Sequence, residues 1–142
     1  MQIARAAQTH NYTPMEAVIT PLELSQVIAG LALEKKATDM KLLDVDKLVS
    51  YADYFVLCNG SNPRQVRAIA QHIQRTLRDI PGGGRSRGIE GMESGKWVLL
   101  DYGDVIVHVF EDSLRDFYDL DSLWADAPRV PVAPPVRQPS VV

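Results

Sequence analysis

Residues 88–109 read GIEGMESGKWVLLDYGDVIVHV, and this stretch decides the fold. Two apolar runs, at 97–100 and 105–110, lie on either side of Tyr102-Gly103-Asp104. β-rich runs joined through Gly-Asp predict a β-hairpin with a type II′ turn, because glycine suits the first position of that turn.

The two-residue turn fixes which side chains share a face of the hairpin. It pairs Asp101 with Ile106 and Leu99 with His108. Side chains alternate along each strand, so one face carries Trp97, Leu99, Asp101, Ile106, His108 and Phe110, and the other carries Val98, Leu100, Tyr102, Val105, Val107 and Val109. Neither face is polar throughout. We therefore expect a helix of this chain to cover one face, which leaves the other available to a partner.

Composition and charge limit the classes of protein that fit. A length of 142 residues suits one domain, and 46% hydrophobic residues can supply a core. A formal net charge of −3 argues against a surface built throughout for nucleic acid. The single cysteine, Cys58, lies in an apolar run, which indicates a buried structural thiol in a reducing compartment. No apolar run approaches the roughly 18 residues of a membrane span, and we see no secretory pattern at the N-terminus.

The N-terminal half alternates helices and strands. Residues 1–19 show no helical or strand period and are expected to be disordered. Thr20-Pro21-Leu22-Glu23 forms a capping box ahead of apolar residues at helical spacing, so a helix is predicted from there to about Lys36. A partly buried strand at 40–46 and a central strand at 54–58 follow.

The helix predicted over residues 63–80 is the clearest in the chain. Asn62 caps it, and its apolar residues fall within one arc of roughly 100°. The opposite side carries a basic stripe, which is either a solvated face or a contact for RNA phosphate. The candidate RNA contacts are Arg64, Arg67, Arg75 and Arg78.

The C-terminal half completes a single layered domain. A glycine-rich connector leads to a short edge strand at 85–89 and then to the hairpin. A short helix beginning near Ser113 is expected to turn Leu114, Phe117, Tyr118, Leu123 and Trp124 inward. Residues 127–142 are rich in proline and are expected to form an extended or disordered tail. The order of elements predicts an α/β domain over residues 20–126, with a mixed β-sheet and flanking helices.

Phosphate-binding and nucleotidyl-transfer motifs are weak. Gly95-Lys96 lacks the first glycine of a P-loop, and Trp97 stands where serine or threonine would bind magnesium. Gly60-Ser61 lies between a strand and a helix N-terminus, which is a favourable place for an anion. Transfer would also need paired carboxylates, and the nearby match, Asp44-Val45-Asp46, precedes that glycine in the chain.

One histidine invites a general-base hypothesis. Asp101 is the diagonal neighbour of His108 on the predicted hairpin face, and such a pair can orient a base. A strand histidine bonded to a carboxylate is more often structural, and no serine or cysteine nucleophile stands beside a histidine. We therefore predict that the chain is not an enzyme and has no metal site and no cofactor.

Several segments, taken in order, carry a specific resemblance. They are Asp53-Tyr54-Phe55-Val56, Gly60-Ser61-Asn62 with the helix that follows, Gly88-Ile89-Glu90-Gly91, the hairpin at 97–109, and the closing segment at 117–124. In this order and spacing they resemble the ribosomal silencing factor (Iojap) family. The resemblance covers about residues 22–126.

The resemblance implies a fold and a partner. The fold is nucleotidyltransferase-like and lacks the catalytic carboxylates. Family members bind the large ribosomal subunit through ribosomal protein L-fourteen, at the face that meets the small subunit, and so block subunit joining and repress translation. Organellar relatives take part in large-subunit assembly, and the family can form homodimers. The implied location is the bacterial cytoplasm rather than an organelle.

The hairpin is the expected docking surface, although Trp97 could instead belong to the core. Trp and Tyr dominate interface energetics, and the candidate contacts are Trp97, Leu100, Tyr102, Gly103, Asp104 and Val105. Asp112, Asp116 and Asp119 are candidate rim charges toward a basic ribosomal protein. Contact with RNA would be peripheral. The alternatives are a large-subunit assembly factor and, less well supported, a nucleotide-binding transferase.

Overall fold

A computed structural model describes residues 19–81, 83–117 and 119–133. Within these ranges one five-stranded sheet carries two long helices and a short C-terminal helical segment. The elements are α1 (Pro21–Glu34), β1 (Thr38–Asp44), β2 (Tyr54–Gly60), α2 (Pro63–Asp79), β3 (Gly88–Glu90), β4 (Trp97–Asp101), β5 (Val105–Glu111), α3 (Asp112–Phe117) and a 3-10 helix (Leu120–Trp124). The predicted disordered segment at 1–18 and residues 134–142 lie outside the described residues.

Both long helices begin at the predicted caps. The Thr20 hydroxyl accepts the backbone N–H of Glu23, and the Glu23 carboxylate accepts the N–H of Thr20, which completes the capping box. Asn62 accepts the N–H of Gln65 at the start of α2. No helix within the described residues is long and apolar enough to cross a membrane.

The strand order β1-β2-β5-β4-β3 makes the sheet mixed. Strand β5 lies in the middle, parallel to β2 and antiparallel to β4. The hairpin has the predicted register, with Asp101 opposite Ile106 and Leu99 opposite His108. At its turn, Tyr102 N–H donates to the carbonyl of Val105, and Gly103 has a φ of 85°. Glycine adopts that left-handed conformation without steric strain, which explains why it occupies the position.

The two faces of the sheet are covered unequally. Helices α1 and α2 cover the face that carries Val98, Leu100 and Val107, and together they form the main core. The other face holds a smaller cluster around Phe55 and Phe110. A C-terminal cover (residues 112–117 and 119–127) lies over part of it, with Leu114, Trp124 and Ala127 directed inward. The remainder of this second face stays open around β4.

The C-terminal cover is less complete than the sequence predicted. Leu114 and Trp124 pack against the second face, as expected. The side chains of Phe117 and Leu123 are 78% and 63% exposed, so the prediction that they pack inward is wrong. Tyr118, the fifth residue of that prediction, lies outside the described residues. Six residues of α3 and five of the 3-10 helix are too few to bury every apolar side chain that they carry.

The chain beyond residue 126 also departs from expectation over residues 127–133. Asp44 N–H donates to the carbonyl of Pro128, and Val130 N–H donates to that of Leu42. Gln26 of α1 accepts the N–H of Ala133 and donates to the carbonyl of Pro131. We call residues 128–133 the C-terminal strap. It is extended, as predicted, but it is fixed along the outer edge of β1, so the folded unit continues past residue 126.

Candidate functional site

The open part of the second face centres on Trp97 at the start of β4. Its side chain is half-buried, and its ring lies 5.1 Å from that of Phe110, its partner across the ladder. Its indole Nε1 donates to Nδ1 of His108 over 3.1 Å. Trp97 therefore belongs to the second cluster and also presents surface, so its place in the core does not prevent contact with a partner.

His108 anchors Trp97 from the neighbouring strand. Only 5% of His108 is exposed, and its ring contacts those of Phe55, Phe110 and Trp124 at centroid distances of 4.9, 5.9 and 5.5 Å. This burial lowers the pKa of His108 to about 4. The imidazole is therefore neutral near pH 7, where it can accept the indole N–H.

The predicted pairing of His108 with Asp101 is wrong. The Asp101 carboxylate accepts the N–H of Gly103 over 2.8 Å, and Nδ1 of His108 is taken by Trp97. Asp101 lies opposite Ile106 at the turn end of the ladder, where it stabilises the turn. A general base built on this pair has no geometric support.

The predicted docking residues divide into surface and core. Asp104 is exposed, while Tyr102 and Gly103 are half-buried at the hairpin tip. Leu100 and Val105 are fully buried in the main core. Their side chains cannot reach a partner while the domain is folded, so these two predicted contacts need correction. The alternation of the hairpin puts both on the same face as Tyr102, and the structure shows that the helices cover this face.

Tyr102 and Trp97 lie on opposite faces of the sheet. Tyr102 packs against the main core on the helix side, whereas Trp97 packs against the second cluster. Burial raises the pKa of the Tyr102 phenol to about 12, although Arg78 acts in the opposite direction. One partner can touch both aromatic residues only by reaching around the hairpin tip.

Arg115, which was not among the predicted site residues, fixes the C-terminal cover on the sheet. This arginine is 2% exposed and lies over the Phe110 ring at 5.5 Å. Its Nη1 donates to Asn59 Oδ1 at 2.7 Å and to the carbonyl of Asp39 at 2.8 Å. Its Nε and Nη2 donate to Asp121 Oδ1. A lone arginine among six acidic residues was the available signal.

The acidic residues of this cover remain at the surface. Asp112 is half-buried in the first turn of α3, and Asp116 and Asp119 are exposed. Asp119 adopts a left-handed φ of 50° between the two helical turns. These three carboxylates lie on the element that borders the open second face.

The basic stripe of α2 is mostly exposed. Arg64, Arg75 and Arg78 are exposed. Arg67 is half-buried, and its guanidinium donates to the carbonyl of Glu93 over 3.2 Å. Arg67 therefore holds the loop before β4, and the other three remain available to solvent or a ligand.

At the candidate anion-binding site, Gly60-Ser61, the Gln65 side chain occupies the hydrogen-bond donors of Ser61. The Ser61 N–H and hydroxyl both donate to Gln65 Oε1, at 2.7 and 2.8 Å. A Cβ on Gly60 would lie 2.9 Å from the backbone nitrogen of Val66. The glycine therefore permits close packing of β2 on α2, which is a structural requirement rather than a phosphate loop.

The carboxylates considered for metal binding lie at one end of the sheet. Asp44, Asp46 and Asp53 line an open cavity of about 390 Å³ beside the N-terminus of α1. Burial, followed by the charges of Asp104 and Asp46, raises the pKa of Asp53. In the described part of the chain, no three His, Cys, Asp or Glu side chains are arranged to hold a metal ion.

Comparison with known proteins establishes the family. Residues 18–141 match the family described as "Ribosomal silencing factor during starvation". The chain belongs to this family. It is 39% identical over 103 residues to the ribosomal silencing factor RsfS of Bacillus subtilis, a match that covers 72% of this chain and 86% of that protein.

The family fold is also seen in solved structures. A crystal structure of a protein from Chromobacterium violaceum superposes with a TM-score of 0.70 at 35% identity, covering 84% of this chain and 98% of that one. A mouse relative named "Mitochondrial assembly of ribosomal large subunit protein 1" is 24% identical over 103 residues. That match covers 69% of this chain and 43% of the mouse protein.

Proposed function

We propose that this chain is a ribosome-binding repressor of translation that docks on the large subunit through ribosomal protein L-fourteen and blocks joining with the small subunit. Membership of the silencing factor family supports a ribosomal partner. The observation that carries the docking surface is Trp97, a half-exposed indole on an apolar sheet face, held in place by His108. Buried, well-oriented aromatic side chains commonly dominate interface energetics.

The docking surface is the open second face next to β4. Trp97 and Leu99 supply its apolar centre, and both pack against the second cluster without being fully buried. Glu90 of β3 pairs with Leu99 and borders it. Gly103 and Asp104 form the adjoining hairpin tip. A patch of about 800 Å² per partner is enough for a specific complex.

The acidic residues of the C-terminal cover act at the rim of this surface. Asp112, Asp116 and Asp119 lie on the element that partly covers the second face. Ribosomal proteins are usually basic, so these carboxylates steer the encounter and raise the association rate. Neutralising them should slow association and flatten its salt dependence while leaving dissociation nearly unchanged.

Co-sedimentation with purified large subunits tests the proposal. Trp97→Ala should weaken binding by about 2 kcal/mol, which is roughly thirtyfold, because the indole is the central contact. Leu33→Ala is the matched control, since Leu33 is a 38% exposed apolar residue on α1, away from the hairpin. Circular dichroism must show that each variant stays folded.

A second variant identifies the face that docks. If Trp97→Ala alone weakens binding, the partner uses the second face; if Tyr102→Ala weakens it equally, the partner reaches around the hairpin tip. Subunit joining is followed in parallel by light scattering. A folded Trp97→Ala, Tyr102→Ala double variant that still binds and still blocks joining would exclude the hairpin as the docking surface.

Large-subunit assembly is the second candidate function, favoured by the name of the mouse relative. It uses the same docking surface and differs in timing. An assembly factor would associate with immature large-subunit particles, and its depletion would make them accumulate. A silencing factor would associate with mature subunits during starvation and leave subunit maturation unchanged when depleted.

We further propose that the chain has no catalytic activity and acts in the bacterial cytoplasm, where its proposed partner is found. The relatives are named as silencing factors, a name that describes no enzyme. Magnesium-dependent nucleotidyl transfer that disappears on Asp44→Ala and Asp46→Ala would contradict the first statement. The homodimer implied by the family resemblance stays a prediction, and sedimentation velocity of the purified chain would test it.

A further inference from the structure

A small cavity beside the hairpin tip collects basic side chains that the docking proposal does not use. It has a volume of about 190 Å³ and is lined by Gln74, Arg78, Arg85, Ser86 and Tyr102. We call these five residues the arginine pocket. Arg78 comes from the last turns of α2, Arg85 and Ser86 from the connector to β3, and Tyr102 from the end of β4.

The connector returns two arginines to the hairpin. Arg87 N–H donates to the carbonyl of Asp101 over 2.6 Å, which ties the connector to the end of β4. The Arg87 guanidinium lies against the turn, since a Cβ on Gly103 would be 3.3 Å from its Cζ. Arg85, two residues before Arg87, lines the cavity. Arg78, Arg85 and Arg87 therefore all lie near the hairpin tip.

These cations have no anionic partner within the described residues. No ion pair in the described part of the chain involves Arg78, Arg85 or Arg87. The nearest carboxylates by sequence are Asp79, Asp101 and Asp104. Asp101 is engaged by the N–H of Gly103, and Asp79 and Asp104 are exposed. Arg78 and Arg85 line the cavity, and Arg87 lies at the adjoining turn. Unpaired cations gathered in one place repel one another and favour an anion between them.

The neutral groups of the cavity are suited to the same ligand. The Tyr102 hydroxyl is buried and has no hydrogen-bond partner within the described residues. Its high pKa keeps it protonated, so it is a donor, and it lies near enough to Arg78 for that charge to affect its pKa. Gln74 and Ser86 add an amide and a hydroxyl. An unsatisfied buried hydroxyl is costly, and a bound acceptor would relieve it.

We propose that the arginine pocket binds a phosphate group. A phosphate offers several strong acceptor oxygens to donors that arrive from different directions, and the planar guanidinium fork matches it in two parallel hydrogen bonds. The cavity has room for several water molecules at roughly 30 Å³ each, and hence for one phosphate. The phosphate comes either from an RNA backbone or from a small phosphorylated compound, and both present the same chemistry to the pocket.

Binding to two probes tests this pocket without any ribosome present. The first probe is a fluorescent single-stranded RNA followed by anisotropy, and the second is inorganic pyrophosphate followed by calorimetry. The Arg78→Gln, Arg85→Gln double variant should lose about tenfold or more in affinity, because two charge-assisted contacts are removed. For RNA, the slope of log affinity against log salt should flatten by roughly 0.7, since the pocket holds one phosphate and each neutralised phosphate on a single strand contributes about that amount.

The matched control is the Arg64→Gln, Arg75→Gln double variant. It removes the same amount of charge from two exposed arginines of α2 that lie outside the pocket. Its affinity for each probe should fall less than twofold. Binding of both probes would show that a small phosphate compound suffices, and binding of RNA alone would assign the site to an RNA backbone.

Three results would overturn the proposal. Equal losses in the two double variants would mean diffuse attraction to positive charge. A polyglutamate peptide that binds as tightly as the RNA would make the pocket a site for acidic protein segments. Failure of both probes to bind the unmodified chain would leave the pocket without a phosphate ligand. None of these results depends on docking to the large subunit, so the two proposals fail separately.

Discussion

The indole Nε1 of Trp97 donates a hydrogen bond to Nδ1 of His108 across 3.1 Å, from one strand of the hairpin to the next. Because Nδ1 accepts this bond, the proton of the neutral imidazole lies on Nε2, which is buried without a partner within the described residues. The residue proposed to contact the ribosome is thus oriented by a buried residue that must stay uncharged.

The stability of the domain should therefore depend on pH through His108. Burial lowers its pKa from an ordinary value of 6.5 to about 4 in the folded chain. Between these values the unfolded chain binds a proton that the folded chain does not, so stability rises with pH over this window and is constant above it. The effect is on the order of 3 kcal/mol.

Urea unfolding at several pH values would measure this effect, with His108→Phe as the comparison. Phenylalanine keeps the ring volume and cannot titrate, so the difference in stability between the two proteins should change between about pH 4 and 6.5 and level off above. The other titrating groups are shared and cancel. Parallel stability curves would mean that His108 has an ordinary pKa.

Replacing Arg115 by methionine should destabilise the domain by about 3 kcal/mol. Methionine keeps an apolar stem over Phe110 but leaves Asn59 Oδ1 and the carbonyl of Asp39 without their donor. Each buried acceptor that loses its partner costs about 1–3 kcal/mol. Chemical denaturation would give the change in the free energy of unfolding.

Lys41→Ala is the control for that measurement. Lys41 pairs with the same carboxylate, Asp121, at 3.2 Å, but both side chains are partly exposed. Exposed ion pairs contribute at most about 1 kcal/mol, so this variant should be nearly as stable as the parent. If both variants lost the same stability, the charge of Asp121 would matter more than the buried acceptors.

Asp53→Asn should raise the melting temperature at pH 7. Burial, and then the charges of Asp104, Asp46 and Asp44, raise the pKa of Asp53, so its ionised form is unfavourable in the folded chain. Charge effects at such a partly exposed site stay below about 1 kcal/mol, which limits the gain to a few degrees in a chain of this size.

The gain from Asp53→Asn should shrink as the pH falls. The folded chain holds its proton more tightly than the unfolded chain does, so acid removes the repulsion from the parent protein as well. Differential scanning calorimetry at pH 7 and near pH 4 would show this convergence. A variant that is less stable than its parent at pH 7 would indicate that the carboxylate makes favourable contacts.

Two truncations should separate the C-terminal strap from the residues after it. Ending the chain after residue 126 removes the backbone bonds of Pro128 and Val130 to β1 and the contacts of Gln26, so the melting temperature should fall by several degrees. Ending it after residue 133 keeps all of these contacts. From the composition of residues 134–142, we expect their removal to change the melting temperature little. Equal melting temperatures for the two truncated chains would mean that the strap contributes nothing.

Local patterns in the sequence were enough to predict most of the secondary structure and the register of the hairpin. The capping box of α1, the Asn62 cap and helical spacing of α2, and the Gly-Asp turn each act over a few residues, so they determined the helix starts and the pairing of β4 with β5. The alternation along β4 by itself assigns Trp97 and Tyr102 to opposite faces. The same alternation puts Leu100 and Val105 on one face with Tyr102, but only the structure shows that the helices cover that face.

Contacts between distant segments could be read only from the tertiary structure. The sequence marks Arg115 only as the lone arginine of an acidic segment, and its role depends on Asn59 and Asp39, which reach it through the pairing of β1 with β2. The C-terminal strap is held by acceptors and donors on β1 and α1, about a hundred residues away in sequence. His108 is bonded to Trp97 and not to Asp101, whose carboxylate accepts the N–H of Gly103 at the turn. Hydrogen bonds across such separations depend on where the whole sheet brings the groups, and no local pattern encodes that.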